Sequence, residues 1–104
     1  MKGRRVDSMN DGFRALADPT RREILRILRK GPLTAGELAD KFELSKPSMS
    51  HHFAVLQQAD LIAARKDGRQ ILYALNTTVV QDLLTEVYDL FPGKGKRPGP
   101  RVEE

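Results

Sequence analysis

Residues 34–56 decide the fold, and they read Thr34-Ala-Gly-Glu-Leu-Ala-Asp-Lys-Phe-Glu-Leu-Ser-Lys-Pro-Ser-Met-Ser-His-His-Phe-Ala-Val-Leu56. Thr34 and Glu37 form a capping-box pattern, in which each side chain can bond the other residue's free backbone amide. Ser45 is a second N-cap candidate, and Pro47 follows in the first turn of the next helix. Two short helices joined by a tight turn predict a helix-turn-helix.

The apolar residues of this segment recur at helical spacing. The first helix is expected to bury Leu38, Ala39 and Phe42. The second helix is expected to run to about Ala59, and its buried residues at positions i, i+4 and i+7 are Met49, Phe53 and Leu56.

The opposite face of the second helix carries small or polar groups near its start. These residues are Lys46, Pro47, Ser48, Ser50, His51 and Ala54. Such groups can approach base edges in the major groove of DNA, and the helix start offers free amides to phosphate. An ordinary solvated face is the alternative, and the sequence that follows makes it the weaker one.

A two-residue alternation follows the second helix. Residues 62–65 and 71–75 alternate in the manner of strands, which predicts a β-hairpin. Asp67 and Gly68 between them predict a type I′ turn, in which both residues take positive φ. The cations at the hairpin tip are Arg65, Lys66 and Arg69.

Two helices are predicted before the helix-turn-helix. The first runs from about Met9 to Ala17. Asp18-Pro19 starts the second with an N-cap and a first-turn proline, and Gly31-Pro32 ends it. Its apolar stripe and the arginines opposite that stripe are Ile24, Leu25, Ile27 and Leu28, and Arg21, Arg22, Arg26 and Arg29.

The last predicted helix follows Asn76-Thr77 and ends near Phe91. Its apolar rows are Val80, Leu84, Val87 and Phe91, and beside them Val79, Leu83 and Leu90. One buried stripe needs fewer residues than this, so one row is expected to cover the core and the other to contact a second copy. The second row, together with Met9, Phe13 and Leu16, predicts a homodimer through the terminal helices.

The length of 104 residues is typical of one domain. We expect a flexible basic arm over residues 1–8, a folded domain over 9–91 and a disordered basic tail over 92–104. The apolar runs are too short for a membrane helix and no secretory signal is visible, so a cytoplasmic protein is expected. A net charge of +4 is compatible with a nucleic-acid partner, and the lack of cysteine excludes disulfides and thiolate metal sites.

Several motifs in this order are typical of one family. They are Phe13-Arg-Ala-Leu-Ala-Asp-Pro-Thr-Arg-Arg-Glu-Ile-Leu25, Thr34-Ala-Gly-Glu-Leu-Ala39, Ser45-Lys-Pro-Ser-Met-Ser-His-His-Phe53, Lys66-Asp-Gly-Arg69 and Tyr73-Ala-Leu-Asn76. Over roughly residues 9–91 the chain resembles the ArsR/SmtB family of winged-helix repressors, and in particular its cysteine-free autorepressor members. The resemblance implies a mainly α winged helix-turn-helix with a β-hairpin wing, acting as a homodimeric, operator-binding repressor.

The resemblance also implies which residues contact DNA. The groove-facing positions are Lys46, Ser48, Ser50 and His51, and those at phosphates or on the wing are Thr34, Arg65, Lys66, Arg69 and Gln70. Ser45 and Pro47 belong to the same helix start. For His52, packing and phosphate contact remain open. Asp60 stands where the family usually has Gly, and Asp tolerates the left-handed conformation better than most residues.

No metal, cofactor or catalytic site is expected. The resemblance implies that metal-sensing relatives use cysteine pairs or Asp and His ligands on the last helix, but here that helix offers Asp82, Glu86 and Asp89 without a histidine. No nucleophile motif or phosphate-binding loop is present, so an enzyme is not expected. Regulation is left to protein concentration, sequestration by a partner protein or a small organic ligand, of which the first two need no pocket.

These patterns predict a sequence-specific, double-stranded-DNA-binding transcriptional regulator, a repressor that binds a palindromic operator as a homodimer. The alternative is a winged-helix module that binds protein without specific DNA binding. The cationic hairpin tip favours DNA, because a protein-binding surface would carry exposed aromatic and aliphatic side chains.

Overall fold

The computed structural model describes residues 2–91. Its elements are α1 (Lys2–Leu16), α2 (Pro19–Leu28), β1 (Leu33–Thr34), α3 (Ala35–Ala39), α4 (Lys46–Gln58), β2 (Ile62–Asp67), β3 (Gln70–Leu75) and α5 (Thr77–Asp89). Helices α3 and α4 form the helix-turn-helix, and β2 and β3 form the wing. The predicted fold class, mainly α with a β-hairpin wing, is confirmed.

Local side-chain caps set the helix starts, as the sequence predicts. The Asp18 carboxylate accepts the backbone N–H of Arg21 at 3.1 Å and caps α2. At α3 both halves of the capping box form, since Thr34 Oγ1 accepts from the Glu37 amide and Glu37 accepts from the Thr34 amide. Ser45 Oγ caps α4 by accepting the backbone N–H of Ser48. Each cap satisfies a backbone donor that has no partner within its helix.

One hydrophobic core joins all the helices to the sheet. Its buried residues are Ala15, Ile24, Leu28, Leu38, Met49, Phe53, Leu56, Ala59, Leu61, Ile62, Tyr73 and Leu83. The three predicted inner residues of α4 are all among them. The ring of Phe53 lies 4.8 Å, centroid to centroid, from the ring of Tyr73 on β3. This contact holds α4 against the wing.

The sheet has a third strand that the sequence did not reveal. Its order is β1-β3-β2 and its pairs are antiparallel, with Leu33 opposite Tyr73 and Thr34 opposite Leu72. A strand of two residues shows no alternation long enough to recognise. Its effect is to fasten the start of α3 to the wing, so that the helix-turn-helix and the hairpin have a fixed relative position.

The hairpin turn differs from the predicted type I′ turn at Asp67-Gly68. Asp67 pairs with Gln70, so the two central residues of the turn are Gly68 and Arg69. Gly68 has φ 68°, and among residues 2–91 the only non-glycine residue with positive φ is Asp60, at 61°. A positive φ at the first central residue alone is typical of a type II′ turn. Gly68 therefore takes the one position that requires glycine, and Asp60 adopts the left-handed conformation expected of it.

Helix α1 begins at Lys2, where the sequence predicts a flexible arm over residues 1–8. The prediction used the absence of an apolar stripe, but Lys, Arg and Met favour helix even without one. The prediction of a disordered tail over residues 92–104 concerns residues outside those described.

The apolar rows of α5 have a different placement from the predicted one. Leu83 is only 4% exposed and lies in the core against Gly12 of α1, so it needs no partner for its burial. Val79 is half-buried against the same core. The large apolar residues that α5 and its end expose are Leu84 at 52%, Val87 at 37%, Leu90 at 68% and Phe91 at 65%. Val79 and Leu83 of the row assigned to a partner thus face the core, as does Val80 of the other row, whereas Leu90 is exposed.

Gly12 allows this close packing of α1 on α5. A Cβ built on Gly12 would lie 2.7 Å from Leu83 Cδ1 and 2.8 Å from Leu83 Cδ2, well inside van der Waals contact. We expect Gly12→Ala to lower the free energy of unfolding by about 1–3 kcal/mol, because the core must shift to admit the methyl group. Urea unfolding at a fixed protein concentration measures the change.

Gly36→Ala is the matched control. Gly36 is also helical, but its added Cβ would have Thr34 Oγ1 at 4.0 Å as its nearest neighbour. The helix preference of alanine should therefore raise the free energy of unfolding by up to about 1 kcal/mol. Equal stabilisation by both substitutions would contradict the tight Gly12–Leu83 packing.

Candidate nucleic-acid interface

The exposed face of α4 is fixed by the burial of its opposite face. Met49, Phe53 and Leu56 are in the core, and the predicted outward residues Lys46, Pro47, Ser48, Ser50, His51 and Ala54 are all exposed. The helix is thus presented as an isolated ridge with a small-residue surface at its N-terminal half. That shape and chemistry suit the major groove, which admits one helix.

The start of α4 is ordered by its own hydroxyl groups. Ser45 Oγ accepts the Ser48 backbone N–H at 3.2 Å and donates to Ser48 Oγ at 3.1 Å. The Ser48 hydroxyl keeps its proton available for donation, whereas both hydrogen-bonding roles of Ser45 are used in the cap. Of these two serines, Ser48 is therefore the better placed to bond a base or a phosphate.

A shallow cleft runs between α3 and α4 beside this ridge. It has a volume of about 220 Å³ and is lined by Ala35, Gly36, Ala39, Lys46, Met49, Ser50 and Phe53. Its floor is apolar, and Lys46 and Ser50 supply its polar groups. Thr34, at the start of α3, uses its hydroxyl oxygen to accept from Glu37, as the capping box requires.

The wing presents the predicted cations to solvent. Arg65, Lys66, Arg69 and Gln70 are all exposed around the Gly68-Arg69 turn. Within residues 9–91 the ion pairs between permanently charged groups are Asp11–Arg14 and Glu23–Arg26, and neither involves the wing. The positive charge of the wing tip is thus not neutralised by an ion pair in the described part of the chain.

His52, for which the sequence leaves two roles open, is turned away from the exposed face of α4 and toward α2. Its Nδ1 lies 3.1 Å from Arg21 Nη1 and 3.9 Å from Asp18 Oδ2, both on or next to α2. Burial lowers the pKa of His52 below 6.5 and the Arg21 charge acts in the same direction, while the charge of Asp18 opposes them. Packing, rather than a surface contact, is the role this geometry supports.

Arg21 is a residue that the sequence pattern does not single out. The helical periodicity places it on the polar face of α2 among other arginines, but its guanidinium contacts α1 and α4. Nothing in the periodicity separates Arg21 from its exposed neighbours. The contact depends on how α1 and α4 cross α2, which is a property of the tertiary fold.

Metal clusters and membrane-spanning helices are both absent from the described residues. Within residues 9–91, no group of three or more His, Cys, Asp or Glu side chains is arranged to hold a metal ion. No helix in that range combines the length and the apolar character required to span a membrane.

Residues 16–65 match a protein family described as a helix-turn-helix domain. The transcriptional repressor SdpR of Bacillus subtilis is 53% identical over 74 residues, which cover 71% of this chain and 82% of that protein. The arsenical resistance operon repressor of Staphylococcus aureus is 38% identical over 72 residues, 69% of each chain.

Solved structures share the fold as well. The crystal structure of an ArsR family transcriptional regulator superposes with a TM-score of 0.70 at 36% identity, covering 85% of this chain and 94% of the other. HlyU from Vibrio cholerae superposes with a TM-score of 0.67 at 29% identity, covering 84% and 95%. Such proteins are regulators and not enzymes, in agreement with the sequence prediction. The fold, the helix-turn-helix and these relatives together show that the chain belongs to the ArsR/SmtB family of winged-helix, DNA-binding transcriptional repressors.

Proposed function

We propose that the protein is a homodimeric repressor that binds a palindromic operator, with α4 in the major groove and the wing over the adjacent backbone. The observation that supports this most directly is the presence of two unlike exposed surfaces on elements that pack against each other through Phe53 and Tyr73. One is the small and polar N-terminal face of α4, and the other is the exposed cationic wing tip. A chromosomal operator would place its action in the cytoplasm.

The two surfaces have different tasks in this proposal. Ser48, Ser50 and His51 lie on the ridge that enters the groove, so they read base edges. Arg65, Lys66 and Arg69 are long cations on a hairpin tip, where they meet phosphates and add affinity without sequence preference. Thr34 at the start of α3 and Gln70 on the wing contact the phosphate backbone of the DNA.

The dimer contact is proposed for the apolar surface that α5 exposes. Leu84, Val87, Leu90 and Phe91 lie toward the end of α5, where a second copy related by a twofold axis would cover them. On α1, Leu16 lines a small cavity together with Leu84 and Val87, and the half-buried Met9 and Phe13 of the same helix are proposed to complete the contact. A twofold dimer would set two α4 helices about 34–36 Å apart, one turn of DNA, which is the geometry a palindromic operator requires.

Regulation by metals does not fit this chain. Relatives include repressors named for arsenical and mercury resistance, but this sequence has no cysteine. Thiolates are the ligands that soft metal ions prefer. We therefore propose that protein concentration, or sequestration by a partner protein, controls occupancy of the operator.

Substitutions on the two surfaces should have separable effects on DNA binding. Ser50→Ala or His51→Ala should lower the preference for operator over random DNA by about 1–3 kcal/mol, because the side chain no longer bonds a base edge. Arg69→Ala should weaken binding to both DNAs alike and reduce the salt slope by roughly 1 for each phosphate that it leaves without a cation. Fluorescence anisotropy at several salt concentrations gives both quantities.

Lys30→Ala controls for the removal of one positive charge. Lys30 is exposed just after α2, outside α4 and the wing, so its removal should leave the preference and the slope unchanged. A change in sequence preference caused by Arg69→Ala, with none from the helix substitutions, would mean that the assignment of the two surfaces is wrong.

Charges placed on the exposed apolar residues of α5 and its C-terminal end should dissociate the dimer. The variant Leu84→Glu/Leu90→Glu removes two leucines from the proposed interface. The burial of each leucine contributes roughly 1.5–3 kcal/mol to dimer stability, and the twofold axis doubles each loss. Sedimentation at micromolar concentration should then show a monomer with weak operator binding. Leu44→Glu, on a leucine exposed between α3 and α4, should remain dimeric. A monomeric wild-type protein would refute the dimer.

Metal ions should not release the protein from its operator. Titration of zinc, copper or arsenite to micromolar levels into the purified complex should leave anisotropy unchanged, since cysteine is absent and the side chains of residues 9–91 form no metal cluster. His51 can bind a stray ion weakly at the DNA surface, so the titration is repeated with His51→Ala. Release at stoichiometric metal in both proteins would demonstrate a sensing site.

A further inference from the structure

Arg21 joins three helices through one guanidinium group. Its Nε donates to the carbonyl oxygen of Ala15 at 2.8 Å, and its Nη2 donates to that of Arg14 at 3.1 Å. Its Nη1 lies 3.1 Å from Nδ1 of His52. The side chain thus begins on α2, caps the C-terminal end of α1 and reaches the α4 helix that carries the proposed groove contacts.

The chemistry of this arrangement fixes the state of His52. A guanidinium can only donate, so Nδ1 of His52 must accept, and the imidazole is neutral with its proton on Nε2. The charged groups that act on this ring are Asp18 and Arg21 from α2 and His51 from α4 itself. Burial lowers the pKa of His52, and Asp18 opposes this shift without reversing it. The hydrogen bond therefore persists to a lower pH than an ordinary imidazole would allow, and it is lost as the pH falls through the lowered pKa of His52.

Only an arginine can make this set of contacts. Its planar fork holds several N–H groups in fixed directions, whereas a lysine ammonium is a single point that cannot reach acceptors on two helices together. Both carbonyls lie at the last turn of α1, where the i+4 backbone donors run out, and the Arg14 carbonyl also accepts the Ala17 amide at 3.1 Å. A cation there also complements the negative end of the helix dipole.

We propose that Arg21 is a positioning residue, which sets the orientation of α4 relative to α1 through neutral His52 and thereby the affinity for the operator. The proposal rests on the proposed function of α4 as the groove-reading helix. Base contacts require side chains held to within about 0.5 Å, so a small rotation of α4 is sufficient to weaken them. Because α1 also carries part of the proposed dimer surface, Arg21 ties the orientation of α4 to that interface.

Arg22 provides a matched control. Arg22 Nη1 donates to the carbonyl oxygen of Leu16 at 2.7 Å, so it also caps α1, but its side chain is exposed and makes no hydrogen bond to α4. Arg21→Lys and Arg22→Lys thus each keep the charge and remove a cap from α1. Arg21→Lys additionally removes the connection to His52.

The first experiment compares the operator affinity of these two variants. We expect Arg21→Lys to weaken operator binding roughly tenfold at pH 7.5 and random-DNA binding far less, with an unchanged salt slope, because every cation that meets a phosphate is still in place. Arg22→Lys should bind as the wild type does. Sedimentation and thermal unfolding of both variants separate this effect from loss of dimer or fold.

The second experiment substitutes His52 and keeps the proposal testable if Arg21→Lys does not fold. Gln offers an amide oxygen to Arg21 and does not titrate, whereas Leu offers no acceptor. His52→Gln should therefore bind the operator more tightly than His52→Leu. In the wild type the operator preference should fall as the pH is lowered from 7.5 through the lowered pKa of His52, and in His52→Gln the profile should be flatter. His51 is present in both proteins, so its contribution cancels.

Two results would overturn the positioning role. One is equal operator affinity of Arg21→Lys and Arg22→Lys, and the other is equal affinity and equal pH profiles of His52→Gln and His52→Leu. Both would leave the proposed function intact, provided the wild type distinguishes operator from random DNA. If the wild type shows no such preference at any pH, the proposed function itself fails.

Discussion

The burial of one face of α4 is the constraint on which the rest of the molecule depends. The large apolar side chains of Met49, Phe53 and Leu56 are buried, and the burial of each contributes roughly 1.5–3 kcal/mol to stability. That burial fixes the rotation of the helix about its axis, and the exposed ridge is its consequence. The neighbouring elements then set where the ridge points: Phe53 contacts Tyr73 of the wing, and His52 contacts α2.

The features that the sequence predicts well are local ones. A capping side chain and its amide lie within three residues of each other, and an inner face recurs every three or four residues, so Asp18, Thr34 and Ser45 could be identified as caps without a structure. The exposed face of α4 follows from the same periodicity. These features account for the fold class and for most of the candidate DNA surface.

The features that it predicts poorly depend on distant parts of the chain. Leu83 is buried because Gly12, on another helix, leaves room for it, and two adjacent apolar rows on α5 give no sign of which one the core will take. Strand β1 forms because the edge of β3 supplies its hydrogen-bonding partners. Arg21 has the sequence context of an exposed arginine, but its guanidinium bonds two carbonyl oxygens of α1 and contacts His52. The turn is a smaller case. The strand register moves it one residue along the chain, so that Gly68 is its first central residue and not the second.

The distribution of polar contacts separates a rigid from an adaptable half of the proposed interface. The start of α4 is held by Ser45, the core and the Arg21–His52 contact, so its side chains meet DNA with little freedom left to lose. The wing tip is exposed around a two-residue turn, and its cations form no ion pair with the side chains of residues 9–91. Rigid groups favour discrimination between bases, because a misplaced donor cannot relax, whereas flexible cations follow the phosphates of any sequence. In the proposed interface, selectivity and affinity therefore arise from different physical properties of two surfaces.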